Sequence, residues 1–274
     1  SDERPWPPGG QEFFDGTRHR REPLGFEELK GMMDAAGVTR ALILPPSWEG
    51  YRVDLGLAAA AAYPDHFAVM GRLPLLEPEK AKEMWASWKD EPGILGVRLS
   101  FMGKVEREWL ADGTTDWYWE FAEANDIPTM VYTPWSRGDT TAIATRHPGL
   151  RLIIDHMSVP GGTEDAAITP FIDEAVALAK CPNAHVKLSG MPGCSSVPYP
   201  FPNLSPYIKR VIDAFGPERC SWGADVTRLE GKATYAQTVT HFTEELDFLS
   251  ADELDLIMGR AICRLLGWAP DRDV

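Results

Sequence analysis

Residues 150–160 read LRLIIDHMSVP: a short apolar run that stops on an acid and a histidine. Leu152, Ile153 and Ile154 follow one another without polar alternation, which suits a parallel strand covered on both faces. In parallel α/β folds the chemistry gathers at the C-terminal ends of the strands. The stretch therefore predicts both the fold class and the place where the molecule acts.

The rest of the chain repeats that unit. Working outward, apolar strands are expected at Ala41 to Leu44, Phe67 to Leu73, Ile94 to Leu99, Pro128 to Thr133, Ala184 to Ser189 and Cys220 to Asp225. Between them, helical patterns span Asp54 to Tyr63, Glu79 to Asp90, Asp116 to Asn125, Thr140 to His147, Glu164 to Lys180 and Ser205 to Phe215. A helix from Pro23 to Gly37 opens this series, with Gly37 at its C′ position. Two more close it, Tyr235 to Asp247 and Ala251 to Leu266, and Ser250 with Glu253 makes a capping box for the last.

Seven strands recur at intervals of about 25 to 35 residues, the spacing of barrel βα units. A doubly wound sheet would favour a glycine-rich phosphate turn after its first strand, and neither GxGxxG nor GxxxxGK[ST] occurs. The expectation is an α/β fold, a (β/α)8 TIM barrel forming one domain over residues 1–274, with its first strand upstream of Ser1. Ser1 to Pro23 then reads as the loop that follows that strand.

Composition narrows the partners. A net charge of -14 and a pI near 4.9 argue against nonspecific binding to nucleic acid or to an anionic membrane. No apolar run approaches the ~20 residues of a membrane span. Cys181, Cys194, Cys220 and Cys263 show no CxxC spacing, so reduced thiols in a cytoplasmic protein are expected. Tryptophan-rich segments around Trp85 to Trp88 and Trp109 to Trp119 either cover the barrel or supply a homo-oligomer interface.

The strand ends supply the candidate site: Arg98, Tyr132, His156, Ser189 and Asp225, with Trp135 and Arg228 in adjoining loops. Carboxylate and imidazole together suit general acid–base work or metal binding, and an arginine suits an anionic substrate. Plainer readings stand beside these: Arg98 paired with Asp155, Tyr132 as a core aromatic with its hydroxyl satisfied, and Ser189 capping the following turn. His156 and Asp225 are strongest, because a titratable group directly after an apolar strand is costly unless paired. His66 and His147 read as surface loop residues, His185 as structural, His241 as part of an outer helix, and His19 as part of a solvated basic stretch. With no HxH or HExxH pair, the numbered sequence does not assemble a three-ligand zinc site.

Six segments in order carry a resemblance: GILGVRLS (93–100), ANDIPTMVYTP (124–134), HPGLRLIIDHMSVP (147–160), HVKLSG (185–190), FGPERCSWGADVTRLEG (215–231) and SADELDLIMGRAICRLLGW (250–268). Together, over Leu24 to Trp268, they resemble the amidohydrolase-related TIM-barrel hydrolases, which include 2-pyrone-4,6-dicarboxylate lactonase and aminocarboxymuconate-semialdehyde decarboxylase types. The resemblance implies a (β/α)8 barrel in which Asp225 is the general base or a metal-bound acid. It implies that His156 polarises the scissile carbonyl or binds metal. Such proteins open with a strand ending in HxH, which this sequence does not contain, and metal-binding members carry His where Tyr132 stands. The resemblance therefore leans to the lactonase type, with no cofactor. In the metal-dependent branch, His156 and Asp225 would help hold one divalent ion, zinc or manganese. The usual SDWP ending is here ADVTR, with Arg228 as an anion clamp.

The expected function is hydrolysis of a small carboxylated lactone or ester by water activation at the barrel mouth. Asp225 and His156 are catalytic in this reading, and Arg98, Tyr132, Arg228 and Ser189 bind substrate. The alternatives are a metal-dependent decarboxylase or hydratase of the same superfamily, and a catalytically silent barrel subunit.

Overall fold

Strand register decides which side chains can meet. The structure, a computed structural model, describes residues 23–229 and 231–268. The expected loop over Ser1 to Pro23, with His19, lies outside the described residues except for Pro23.

Contacts divide the chain into two units, Ser1–Arg98 and Leu99–Val274. In the first, β1 (Ala41–Ile43), β2 (Phe67–Gly71) and the start of β3 (Ile94–Ser100) run parallel. Ile43 pairs with Val69, and Gly71 with Val97. All five residues of β2 are buried, as the unbroken apolar run FAVMG requires of a strand covered on both sides. The helix Asp54–Ala62 lies so close to β2 that a Cβ on Gly56 would come within 2.7 Å of the Val69 side chain. A glycine is required at that contact.

The second unit holds the end of β3, then β4 (Thr129–Tyr132), β5 (Leu152–Ile154), β6 (Ala184–Ser189) and β7 (Cys220–Gly223). β4 to β7 are parallel and ordered as in sequence, with Met130 opposite Ile153, Ile153 opposite His185, and Lys187 and Ser189 opposite Ser221 and Gly223. Partners in a parallel ladder share a face, and residues two apart along a strand do too. One face of the second unit therefore carries Met130 and Tyr132, then Ile153, then His185, Lys187 and Ser189, then Ser221 and Gly223.

β6 and the helix Ser205–Phe215 have the expected bounds. β7 ends at Gly223 rather than Asp225, because Asp225 turns into the left-handed region at φ 57 and leaves the strand. A helix at Lys104–Ala111 was not anticipated. Its polar surface hides its period: Leu110 is its buried residue, and Val105 is exposed. The Ser250–Glu253 capping box is present, and Gly37 has the positive φ of a C′ glycine. The helix from Ala251 is interrupted by one wide turn over Leu256–Arg260. Trp85 and Trp119 are buried and do not face outward.

Candidate active site

β5 delivers its chemistry through a strained turn. After Ile154, the residues His156, Met157 and Ser158 have φ of 52°, 52° and 54°. Each non-glycine residue held there costs about 1–2 kcal/mol, so the surroundings must hold the turn. The Val159 N–H donates to the His156 carbonyl at 2.9 Å, and the Tyr132 hydroxyl donates to the Val159 carbonyl at 2.9 Å. Ser158 Oγ lies 3.3 Å from Thr133 Oγ1. The turn lifts the His156 imidazole over the end of β6.

There the ring meets a group at each nitrogen. Ser189 Oγ lies 2.8 Å from Nδ1. Nε2 lies 3.7 Å from an Asp225 carboxylate oxygen and 3.5 Å from Asp155 Oδ2. Two carboxylates near Nε2 favour the proton on that nitrogen, which leaves Nδ1 to accept from the Ser189 hydroxyl in the neutral ring. The Tyr132 ring meets the imidazole edge-on, with centroids 5.4 Å apart. Gly190, at φ 71°, brings its backbone close beneath the pair: a Cβ there would lie 3.4 Å from His156 Nδ1 and 3.5 Å from Asp225 Oδ2.

Exposure separates the two acids. Asp155 is fully buried, while the Asp225 side chain keeps 23% of its surface and His156 keeps 13%. Asp225 and His156 can therefore reach a ligand, and Asp155 cannot. Arg228 follows on the turn Val226–Leu229, and its guanidinium occupies the space that a side chain on Gly161 would fill. It makes no ion pair with the described residues, so its charge is available at the loop after His156.

A family model described as amidohydrolase matches residues 1–268. The chain belongs to the amidohydrolase family. Within it, the chain is 29% identical over 217 residues to an L-fucono-1,5-lactonase of Burkholderia ambifaria, covering 76% of this chain and 72% of the relative. An amidohydrolase from Burkholderia multivorans with bound zinc superposes with a TM-score of 0.78 at 22% identity, covering 90% of this chain and 89% of the other. A structure described as a 2-pyrone-4,6-dicarboxylic acid hydrolase from Pseudomonas putida gives 0.72 at 19%, over 96% and 95%. A TIM-barrel protein from Bordetella bronchiseptica gives 0.69 at 18%, over 88% and 82%, and these likenesses with the seven parallel strands assign the chain to the α/β TIM-barrel class.

The structure brings Tyr132, His156, Ser189 and Asp225 together. The Tyr132 hydroxyl is taken by Val159, which is the satisfied arrangement that the sequence left open beside substrate contact. Arg98 lies on β3 at the end of the first unit. Trp135 is exposed and packs on Phe171, with ring centroids 5.5 Å apart. His147, expected at the surface, is buried and paired with Glu123 at 2.9 Å, which holds that carboxyl below its usual range. Burial pushes the Cys194 thiol up to about 11, so this neighbour of Gly190 stays protonated at neutral pH and supplies no thiolate.

Among the described residues no group of three or more His, Cys, Asp or Glu side chains is placed to hold a metal ion. His156 and Asp225 offer two donors. The set does not fit a complete metal site, and no step below passes through one. Sequence reading also missed Lys187, which reaches inward from β6 to Asp155 Oδ1 at 2.5 Å. The signal was there: a lysine in the apolar strand AHVKLS, on the same face as Ser189.

Proposed function

We propose that this amidohydrolase is a lactonase-like hydrolase that opens a small carboxylated lactone or ester by water attack. The observation that carries the reading is the Asp225–His156–Ser189 cluster, with a partly exposed carboxylate and imidazole side by side and a hydroxyl against the second ring nitrogen. The named lactonase relative and the pyrone-dicarboxylate hydrolase fold support the substrate class.

In this reading Asp225 takes a proton from water as its oxygen bonds to the carbonyl carbon. The Nε2–H of His156 donates to the oxyanion that forms. Collapse breaks the ring C–O bond, and protonated Asp225 returns its proton to the departing alkoxide. Ser189, which is buried, holds Nδ1, while Tyr132 braces the turn beneath. Arg228 binds the substrate carboxylate. The family match over residues 1–268 supports a single barrel domain. The acidic charge argues against nonspecific binding to nucleic acid or an anionic membrane, and among the described residues no helix is long and apolar enough to cross a membrane.

The test is proton release in a weakly buffered solution with carboxylated lactones, neutral lactones and simple esters. The reading expects turnover of lactones, with carboxylated ones preferred. Inertness towards every lactone, beside decarboxylation of an aromatic acid, would replace it.

A further inference from the structure

Beneath the proposed catalytic pair lies a second, buried charge pair that the hydrolytic scheme does not use. Lys187 Nζ stands 2.5 Å from Asp155 Oδ1, and the Asp155 carboxylate is fully buried. The lysine points along the face that also carries Ser189, and its ammonium lies 3.7 Å from Met130 Sδ. Room for it comes from β7, where its register partner is Ser221 and the next residue on that face is Gly223. A Cβ on Gly223 would lie 3.0 Å from the Ser189 Cβ and 3.4 Å from Lys187 Cδ. Such closeness makes the small residue necessary.

A buried ion pair is a poor source of stability, because desolvation of both charges offsets their attraction. Its position points to another use. Asp155 presents its second oxygen to His156 Nε2 at 3.5 Å. A carboxylate without a cation at that place would pull the imidazole N–H into a short charge-assisted bond of about 2.7–2.9 Å. Lys187 draws the negative charge toward Oδ1. What remains favours the proton on Nε2 without capturing it, and Ser189 receives the other nitrogen.

We propose that Lys187 is a positioning residue that acts through Asp155: the carboxylate favours the His156 N–H on Nε2, and Lys187 keeps that N–H from being captured, so that it stays turned toward the substrate. The proposal deepens the hydrolase reading and rests on it for its kinetic arm only. Lys187 touches no substrate in this scheme.

The test compares Lys187→Met, Asp155→Asn/Lys187→Met and wild type by lactone kinetics, thermal melting and imidazole 15N resonances of histidine-labelled resting protein. The His156 signals are assigned by their loss in His156→Gln. Lys187→Met is expected to lower kcat about a hundredfold, with KM within about threefold. The double variant removes both charges with nearly unchanged volume, so it is expected to regain the wild-type melting temperature. Its kcat stays at least about tenfold low, and its His156 resonances show mixed tautomers. A double variant with wild-type kcat and a single Nε2–H tautomer would reduce the pair to a structural ion pair and overturn the proposal. If Lys187→Met does not fold, the double variant decides alone. If wild type hydrolyses no lactone, the hydrolase reading fails, while the 15N comparison still decides whether the Lys187–Asp155 pair sets the state of the His156 N–H.

Discussion

His156, partly exposed at the end of β5, and His241, fully buried on the helix Tyr235–Thr243, differ in what meets their nitrogens. At His156 a serine hydroxyl faces Nδ1 and two carboxylates face Nε2. At His241 neither nitrogen has a hydrogen-bond partner among the described residues, and the ring is framed edge-on by Phe201 and Phe242. Burial pushes the His241 imidazole down to about 4, so it stays neutral through the physiological range. The difference teaches that depth alone does not make an imidazole reactive. Polar groups that hold one tautomer and leave a proton to give are what do so.

The comparison can be broken most severely at the strand end. His156→Gln is expected to lower kcat about a thousandfold with little change in melting temperature, as steady-state kinetics beside a melt would show. His241→Leu should do the reverse and leave kcat unchanged. If the two variants lose activity equally, the contrast between the sites is wrong.

Acid sharpens it next. The folded pKa of His241 lies below the unfolded value of about 6.5, so the unfolded chain binds the proton first. The stability that neutral His241 preserves is complete above about pH 6.5 and declines as the pH falls toward 4, by at most about 3 kcal/mol. Denaturant unfolding across that window should show the decline, and His241→Leu should flatten it.

Smaller effects follow. Ser189→Ala removes the Nδ1 partner and should reduce kcat about tenfold, less than loss of the imidazole itself. Thr234 caps the helix of His241, accepting from the Gln237 N–H at 3.2 Å in a reciprocal capping box. Thr234→Ala should cost about 1 kcal/mol in unfolding experiments and leave turnover intact.

Much of this was legible in the chain. Unbroken apolar runs announced buried parallel strands, and a titratable residue directly after such a run marked His156 and Asp225, which the structure places side by side as a candidate site. Other features were not legible because they arise from pairing across elements. Lys187 looks like any strand lysine until the register sets it beside Ser221 and Gly223 and opposite Asp155. The left-handed turn at His156–Ser158 has no glycine to signal it, since Tyr132, from another strand, holds it. The sequence pattern sets His241 on an outer helix, and packing of Phe201 against the ring, a contact between elements, helps to bury it.

The most direct measurement is turnover of the preferred lactone by Asp225→Asn beside wild type, each checked for an unchanged melting temperature. The account predicts a kcat loss of about a thousandfold or more at similar KM, because asparagine keeps the shape of the carboxylate and cannot take the proton from water. Hydrolysis by Asp225→Asn at the wild-type rate would contradict it.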